Sequence, residues 1–132
     1  MHSLLITWLS TFLVNSVPGL VLFDTGATHS FVSHAFGKWL DRSIESVGHS
    51  LVAEIVDDKM VTVTQVYRGC TIDIDGERLH IDLIPIAMWE LCVIVGMDWL
   101  DTYDAEIVCR HKQVRVRTPS KGEWRIQGNV LR

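Results

Sequence analysis

The chain has 132 residues, enough for one compact domain with its own core, so a single domain over 1–132 is expected. Its hydrophobic fraction of 48% is that of a folded protein, and its net charge of -4 argues against a phosphate backbone as a partner, so nucleic acid is not expected. Three widely spaced cysteines and six dispersed histidines predict neither a disulfide framework nor a metal site, and no cofactor is expected.

The chain opens with an apolar segment from Leu4 to Val14. It resembles the hydrophobic core of a signal peptide, but it lacks preceding basic residues and a convincing cleavage site, and it is too short to span a bilayer. Its Thr, Trp, Phe and Val residues favour β-structure, so we predict a first strand over Thr7–Val14 and an intracellular chain without membrane contact. The alternative is a secreted or tethered protein whose first residues are a targeting segment, which the N-terminal residue of the mature chain would decide.

Most of the following segments are short, rich in β-branched residues and bounded by turn residues, a pattern typical of all-β domains. Turns are predicted at 15–19, 57–58, 75–76 and 111–112, of which Asp75-Gly76 is the strongest because a primed turn needs positive φ. The further predicted strands are Leu20–Asp24, Ser50–Val56, Met60–Tyr67, Cys70–Ile74, Glu77–Pro85, Leu91–Val95, Ala105–Cys109, Gln113–Arg117 and Trp124–Gly128.

Two segments favour helix. The first, Ser30–Leu40, would place Phe31, Ala35 and Trp39 on one apolar stripe. The second is the brief segment Gly96–Tyr103. A β-rich domain with one or two short helices is therefore expected.

Asp24 is the most informative ionisable residue. It ends a strand apolar enough to be buried on both faces, and Thr25, Gly26 and Ala27 then predict a tight turn. Burying a charge without a partner is costly, so a carboxylate here is expected to be paired, hydrogen-bonded or functional. The simpler alternative is that Asp24 caps the turn that follows it.

Two segments carry a family resemblance: Val21-Leu22-Phe23-Asp24-Thr25-Gly26-Ala27-Thr28-His29-Ser30-Phe31-Val32-Ser33 and Ile94-Val95-Gly96-Met97-Asp98-Trp99-Leu100. They resemble the protease of gypsy-class long-terminal-repeat retrotransposons, as found in plant genomes, over about residues 10–117. The resemblance implies an all-β, retropepsin-like closed β-barrel of the acid protease type, acting as a homodimer. It also implies an aspartic endopeptidase that cleaves a retroelement Gag-Pol polyprotein, in the cytoplasm or in a retroelement particle.

The resemblance assigns roles to particular residues. Asp24 would be catalytic, the Thr25 hydroxyl would lock two loops together across the dimer, and Gly26 would let the substrate backbone approach. Ala27 and the tip of a flap hairpin over Leu51–Val66 would contact an extended polypeptide substrate. The predicted contact residues at that tip are Ile55, Val56, Asp57 and Asp58. This tip departs from the family because it has two acids and no glycine, so a solvated hairpin turn remains an alternative.

The two-carboxylate mechanism explains why one motif implies two chains. Peptide hydrolysis by this route needs one carboxylate as general base and another as general acid, and this chain has one Asp-Thr-Gly. Two copies of Asp24 are expected to share one proton, with activity at mildly acidic pH. Asp98 is predicted to be structural at the start of the second helix, and His29 and His34 are expected at a surface or interface. The alternative function is a catalytically inactive, domesticated module for dimerisation or peptide binding.

Overall fold

The computed structural model describes residues 7–54, 60–74, 76–88, 92–108, 113–118 and 122–127. Strands dominate these residues and both helices are short, which confirms the predicted β-rich fold. The strands are β1 (Thr7–Val14), β2 (Val17–Asp24), β3 (Phe31–Ser33), β4 (Glu45–Glu54), β5 (Met60–Ile74), β6 (Glu77–Ile86), β7 (Val93–Val95), β8 (Glu106–Val108), β9 (Gln113–Thr118) and β10 (Gly122–Gln127). The helices are α1 (His34–Gly37) and α2 (Met97–Thr102). No helix in the described residues is long and apolar enough to cross a membrane.

Seven strands form one sheet in the order β1-β2-β7-β3-β6-β5-β4, and β1 also pairs with β5. The extra pairing joins six of these strands in a ring, with β4 attached to β5. Strand β2 is one of the strands of this ring, and it is antiparallel to β1 and parallel to β7. Strands β10, β9 and β8 form a second, three-stranded sheet. The strand that ends at Asp24 is therefore fixed by hydrogen bonds on both sides.

The largest core cluster lies under the end of β2. Phe23 is completely buried and meets the ring of Phe12 edge-on, with centroids 5.8 Å apart. It also contacts Trp99 of α2 at a centroid distance of 5.7 Å. Val114 and Val116 of β9 belong to the same cluster. Because burying one such side chain contributes about 1.5–3 kcal/mol, this cluster anchors both β2 and the second sheet.

The prediction of a helix over Ser30–Leu40 is wrong for its first part. Its beginning forms β3, whose residues are all buried and pair with β6 and β7. Helix α1 is a single turn capped by Ser33, whose Oγ accepts the Phe36 N–H at 3.0 Å. Two-sided strand pairing and burial override the local helical pattern. Trp39, which a longer helix would have placed on the buried stripe, is 70% exposed.

Strands β2, β4 and β5 also differ from their predicted bounds, and β4 begins at Glu45 rather than at the predicted Ser50. Strand β5 is continuous where two strands were predicted, because its pairing with β6 continues through a register shift between Tyr67 and Cys70. Gly69 takes a φ of 72° within this bulge, a conformation that suits glycine. The turn after β1 consists only of Asn15 and Ser16, both with positive φ, so β2 begins earlier than predicted.

Candidate active site

Asp24 lies at the carboxyl end of β2, and its side chain is completely buried. The Gly26 N–H donates a hydrogen bond to Asp24 Oδ1 at 2.7 Å. The Ala27 N–H donates to the Asp24 carbonyl oxygen at 3.3 Å, which closes a tight turn. Asp24 is the one acidic residue that is buried among the described residues. The carboxylate thus has a fixed orientation in a water-poor position.

The three residues that follow differ in exposure. Thr25 and Gly26 are partly exposed, whereas Ala27 is completely buried. Ala27 belongs to a core cluster that also contains residues of β4 and β5, and its carbonyl accepts the Met97 N–H at 2.8 Å. Its N–H is also used within the turn. A direct contact of Ala27 with substrate stays a prediction.

Asp98 joins the start of α2 to the loop that follows Asp24. Ser30 donates to it twice, from Oγ to Oδ1 at 2.7 Å and from the backbone N–H to Oδ2 at 3.2 Å. Asp98 Oδ1 also accepts the Trp99 N–H at 2.8 Å, and Ser30 Oγ accepts the Gly96 N–H at 3.0 Å. Both oxygens of Asp98 are therefore engaged within the chain, which confirms its predicted structural role.

Ser30 is the residue whose part in the site was not predicted. The sequence pattern predicted Ser30 at the start of a helix, yet it is completely buried and bonds a carboxylate 68 positions away. A serine at the end of an active-site motif is the only local signal. Asp98 could not be identified from the sequence as the partner of Ser30, because their contact depends on β2 and β7 lying side by side.

Gly96 allows α2 to start directly against the loop. A Cβ at this position would overlap the carbonyl group of His29 and lie 2.8 Å from the Ala27 carbonyl oxygen. Its φ of -103° is accessible to other residues, so the requirement is for space. The segment that contains Gly96 and Met97 therefore lies directly against the loop that follows Asp24.

Strands β4 and β5 form the predicted hairpin, and Glu54 opposite Met60 is the pair closest to its tip among the described residues. The predicted contact residues Ile55, Val56, Asp57 and Asp58 lie outside the described residues. The hairpin and the loop after Asp24 border a cleft of about 210 Å³. Its lining combines apolar and polar side chains: His29, Val47, His49, Val63, Val66, Arg68, Asp82, Ile84 and Asp98.

Residues 5–122 match the family described as Retroviral aspartyl protease. The chain belongs to the retroviral aspartyl protease family. No curated protein matches the sequence.

Two solved structures share the fold of this family member. The retroviral protease-like domain of Ddi1 from Leishmania major aligns with a TM-score of 0.64 and 15% identity, over 100% of this chain and 96% of that chain. EIAV protease in complex with the inhibitor HBY-793 aligns with a TM-score of 0.57 and 23% identity, over 76% of this chain and 90% of that chain. Both comparisons confirm a retropepsin-like fold.

Several histidine and cysteine side chains, which are types that can take part in catalysis, lie outside the Asp-Thr-Gly motif. His34 is exposed at the start of α1, and His29 Nδ1 lies 2.9 Å from Thr28 Oγ1. Burial raises the pKa of the Cys70 thiol to about 11, which keeps it protonated and makes it a poor nucleophile at neutral pH. Cys92 is partly buried, and Cys109 lies outside the described residues. The described residues contain no group of three or more His, Cys, Asp or Glu side chains suited to a metal ion.

Proposed function

We propose that this chain is an aspartic endopeptidase whose active site forms when two copies bring their Asp24 carboxylates together. The observation that carries the proposal is the buried Asp24 carboxylate, held by the Gly26 N–H at a strand end in a retroviral aspartyl protease family member. A carboxylate held in this way needs little reorganisation when a reaction begins.

The second carboxylate has to come from another copy. The chain contains a single Asp-Thr-Gly, and Asp98 is occupied by Ser30 and Trp99. Asp24 is also the one buried acidic residue of the described part. A homodimer with a two-fold axis between the Asp24 loops supplies the pair, and the Thr25 hydroxyls would lock those loops to each other.

The proposed reaction uses the pair as one acid and one base. Ionised Asp24 of one copy takes a proton from water, whose oxygen forms a bond to the scissile carbonyl carbon. Protonated Asp24 of the other copy donates its proton to the carbonyl oxygen. When the tetrahedral intermediate collapses, the C–N bond breaks and the leaving nitrogen takes a proton from the first carboxyl group. One hydroxyl of the intermediate gives its proton to the second carboxylate as the C=O bond re-forms, which restores the singly protonated pair. The two carboxyl groups share one proton, because two adjacent carboxylates would repel each other if both were ionised. Activity should therefore be greatest at mildly acidic pH.

The proposed substrate is an extended polypeptide held between the loop and the hairpin. Partly exposed Gly26 allows a backbone to approach, and the cleft beside His29 has apolar side chains that can accept a substrate side chain. Val52 and Met60, on the arms of the hairpin, are 59% and 58% exposed. The tip residues would close over the peptide: Ile55, Val56, Asp57 and Asp58. By the motif resemblance, the natural substrate is the Gag-Pol polyprotein of a gypsy-class retroelement of plant type, cleaved in the cytoplasm or in the retroelement particle.

The proposal is tested by cleavage of an unstructured polypeptide between about pH 4 and pH 7 at several concentrations of the chain. Below the dissociation constant of the dimer, we expect the cleavage rate to rise with the square of the chain concentration. Pepstatin should inhibit this activity. A chain that sediments as a dimer but cleaves nothing across this pH range would support the inactive peptide-binding module instead. Cleavage by a chain that sediments as a monomer would contradict the shared dyad.

A further inference from the structure

The cleft between the hairpin and the loop after Asp24 has three basic side chains in its lining, each from a different element. His29 belongs to the loop, His49 to β4 and Arg68 to β5. His29 is partly buried, whereas His49 and Arg68 are exposed. The rest of the lining consists of valine and isoleucine side chains and two carboxylates. Apolar walls with a few converging charged groups are typical of a site that binds and orients a ligand.

None of these three basic side chains donates a hydrogen bond to a carboxylate within the described part of the chain. His29 directs Nδ1 toward Thr28 Oγ1 at 2.9 Å, and no described residue bonds its Nε2. Arg68 makes only long ion contacts, with its Nε 3.7 Å from Glu45 and its Nη1 4.0 Å from Asp82. Both distances exceed that of a hydrogen bond. The donors of the cleft are therefore available to a bound anion.

The two carboxylates of the lining are occupied within the chain. Both oxygens of Asp98 accept hydrogen bonds from Ser30. Asp82 Oδ1 accepts the Gly69 N–H at 2.9 Å and lies 3.0 Å from His80 Nε2. Donors that bond a carboxylate offset part of its charge, so these two groups repel an incoming anion less than exposed carboxylates would.

We propose that this cleft binds an acidic side chain of the substrate, preferably glutamate, and that His29, His49 and Arg68 supply the positive charge that selects it. The inference rests on the proposed function and adds the class of substrate side chain that the site prefers. Glutamate suits the cleft because its two methylene groups can pack on apolar side chains while its carboxylate meets the basic ones. The apolar lining is formed by Val47, Val63, Val66 and Ile84.

The preference should depend on pH, because two of the three basic side chains are histidines. Free glutamic acid is ionised above about pH 4.3, and free histidine is protonated below about pH 6.5. Between these values an ionised glutamate meets three cations, whereas above them it meets Arg68 alone. Other titratable groups at the cleft and its lining are Glu45, His80, Asp82 and Asp98. Protonation of His80 would strengthen its pairing with Asp82, so it acts in the same direction.

Paired peptides test this preference. Cleavage sites in an unstructured polypeptide are located by mass spectrometry, and peptides spanning one site are made with Glu or Gln at each position in turn. Glutamine has nearly the same shape, so the comparison isolates the charge. For at least one position, kcat/KM of the Glu peptide should exceed that of the Gln peptide about tenfold near pH 5.5. The two values should approach each other at about pH 7.5.

Variants of the cleft separate the contributions of its basic side chains. Arg68→Gln should lower the Glu-to-Gln ratio about threefold and keep its pH dependence. The double variant His29→Gln/His49→Gln should remove most of the pH dependence. Because both peptides are measured on the same sample, the ratio is insensitive to a loss of folded or dimeric chain. The matched control is His34→Gln, which changes an exposed histidine of α1 outside this cleft and should leave the ratio unchanged.

Two results would overturn the inference while the proposed protease function stands. The first is equal cleavage of the Glu and Gln peptides at every position. The second is a preference for Glu that persists unchanged in both cleft variants, which would place the acidic side chain elsewhere.

A chain that cleaves no peptide would contradict the proposed function, and binding then tests the cleft by itself. Fluorescence anisotropy compares labelled unstructured peptides that carry Glu, or Gln in its place, at about pH 5.5. Tighter binding of the Glu peptide, lost in Arg68→Gln, would support the acidic preference. Equal binding of the two peptides, or binding of neither, would overturn it.

Discussion

Asp24→Asn is expected to reduce peptide cleavage by about a thousandfold or more, because it removes the carboxyl group that exchanges protons with water and substrate in the proposed reaction. The fold should survive the change. An asparagine side chain has nearly the same shape, and its carbonyl oxygen can still accept the Gly26 N–H that now reaches Oδ1 at 2.7 Å. The measurement is the initial rate of polypeptide cleavage at mildly acidic pH, with thermal unfolding recorded for the same sample.

Asp101→Asn is the matched control, since Asp101 is exposed on α2 and the change removes the same charge. Its cleavage rate should equal that of the native chain. If Asp24→Asn kept a near-native rate, the carboxylate would have no part in the chemistry, and its role would be limited to closing the turn.

Gly96→Ala is expected to be the most damaging single-methyl change among the described glycines. The added Cβ would overlap the His29 carbonyl group and press on the Ala27 carbonyl, and both obstacles are backbone atoms of the active-site loop. We expect the free energy of unfolding to fall by about 3 kcal/mol, at the upper end of the usual cost of overpacking. The loop cannot give way without moving Asp24, so cleavage should fall by about a hundredfold even in the folded fraction.

Gly37→Ala is the matched control for this change. There the added Cβ would lie 3.1 Å from the Tyr67 hydroxyl, the end of a side chain that can shift. Gly37 lies in α1, where alanine is more favourable than glycine. This gain offsets part of the cost of the contact, so the free energy of unfolding should change little. Denaturant unfolding and cleavage rates of the two variants provide the comparison. Equal small effects would show that α2 is not packed against the loop as described.

Sequence patterns predicted those elements of the fold whose conformation is determined by neighbouring residues. Strand β1 has its predicted bounds, and α2 lies within the predicted segment Gly96–Tyr103. The tight turn at Asp24 followed from Gly26 and from the apolar strand before it. These features depend on neighbours in the sequence, so periodicity and turn residues were enough to identify them.

Features that depend on distant partners were not predicted. Strand β3 lies between β6 and β7, and this two-sided pairing imposes a strand on residues whose spacing favours a helix. Ser30 bonds Asp98 across the site, although the sequence pattern predicted it as the first residue of a helical segment. In each case tertiary packing outweighs local propensity.

Subunit mixing tests the shared Asp24 dyad most directly. Asp24→Asn chains are added to a fixed amount of native chain at concentrations where both are dimeric, and the subunits are allowed to exchange. If both Asp24 residues are needed in one site, a roughly ninefold excess of the variant should lower cleavage to about a tenth, because most native chains then sit in mixed dimers. A cleavage rate unchanged by the excess, with exchange verified by mass, would contradict a site shared between two copies.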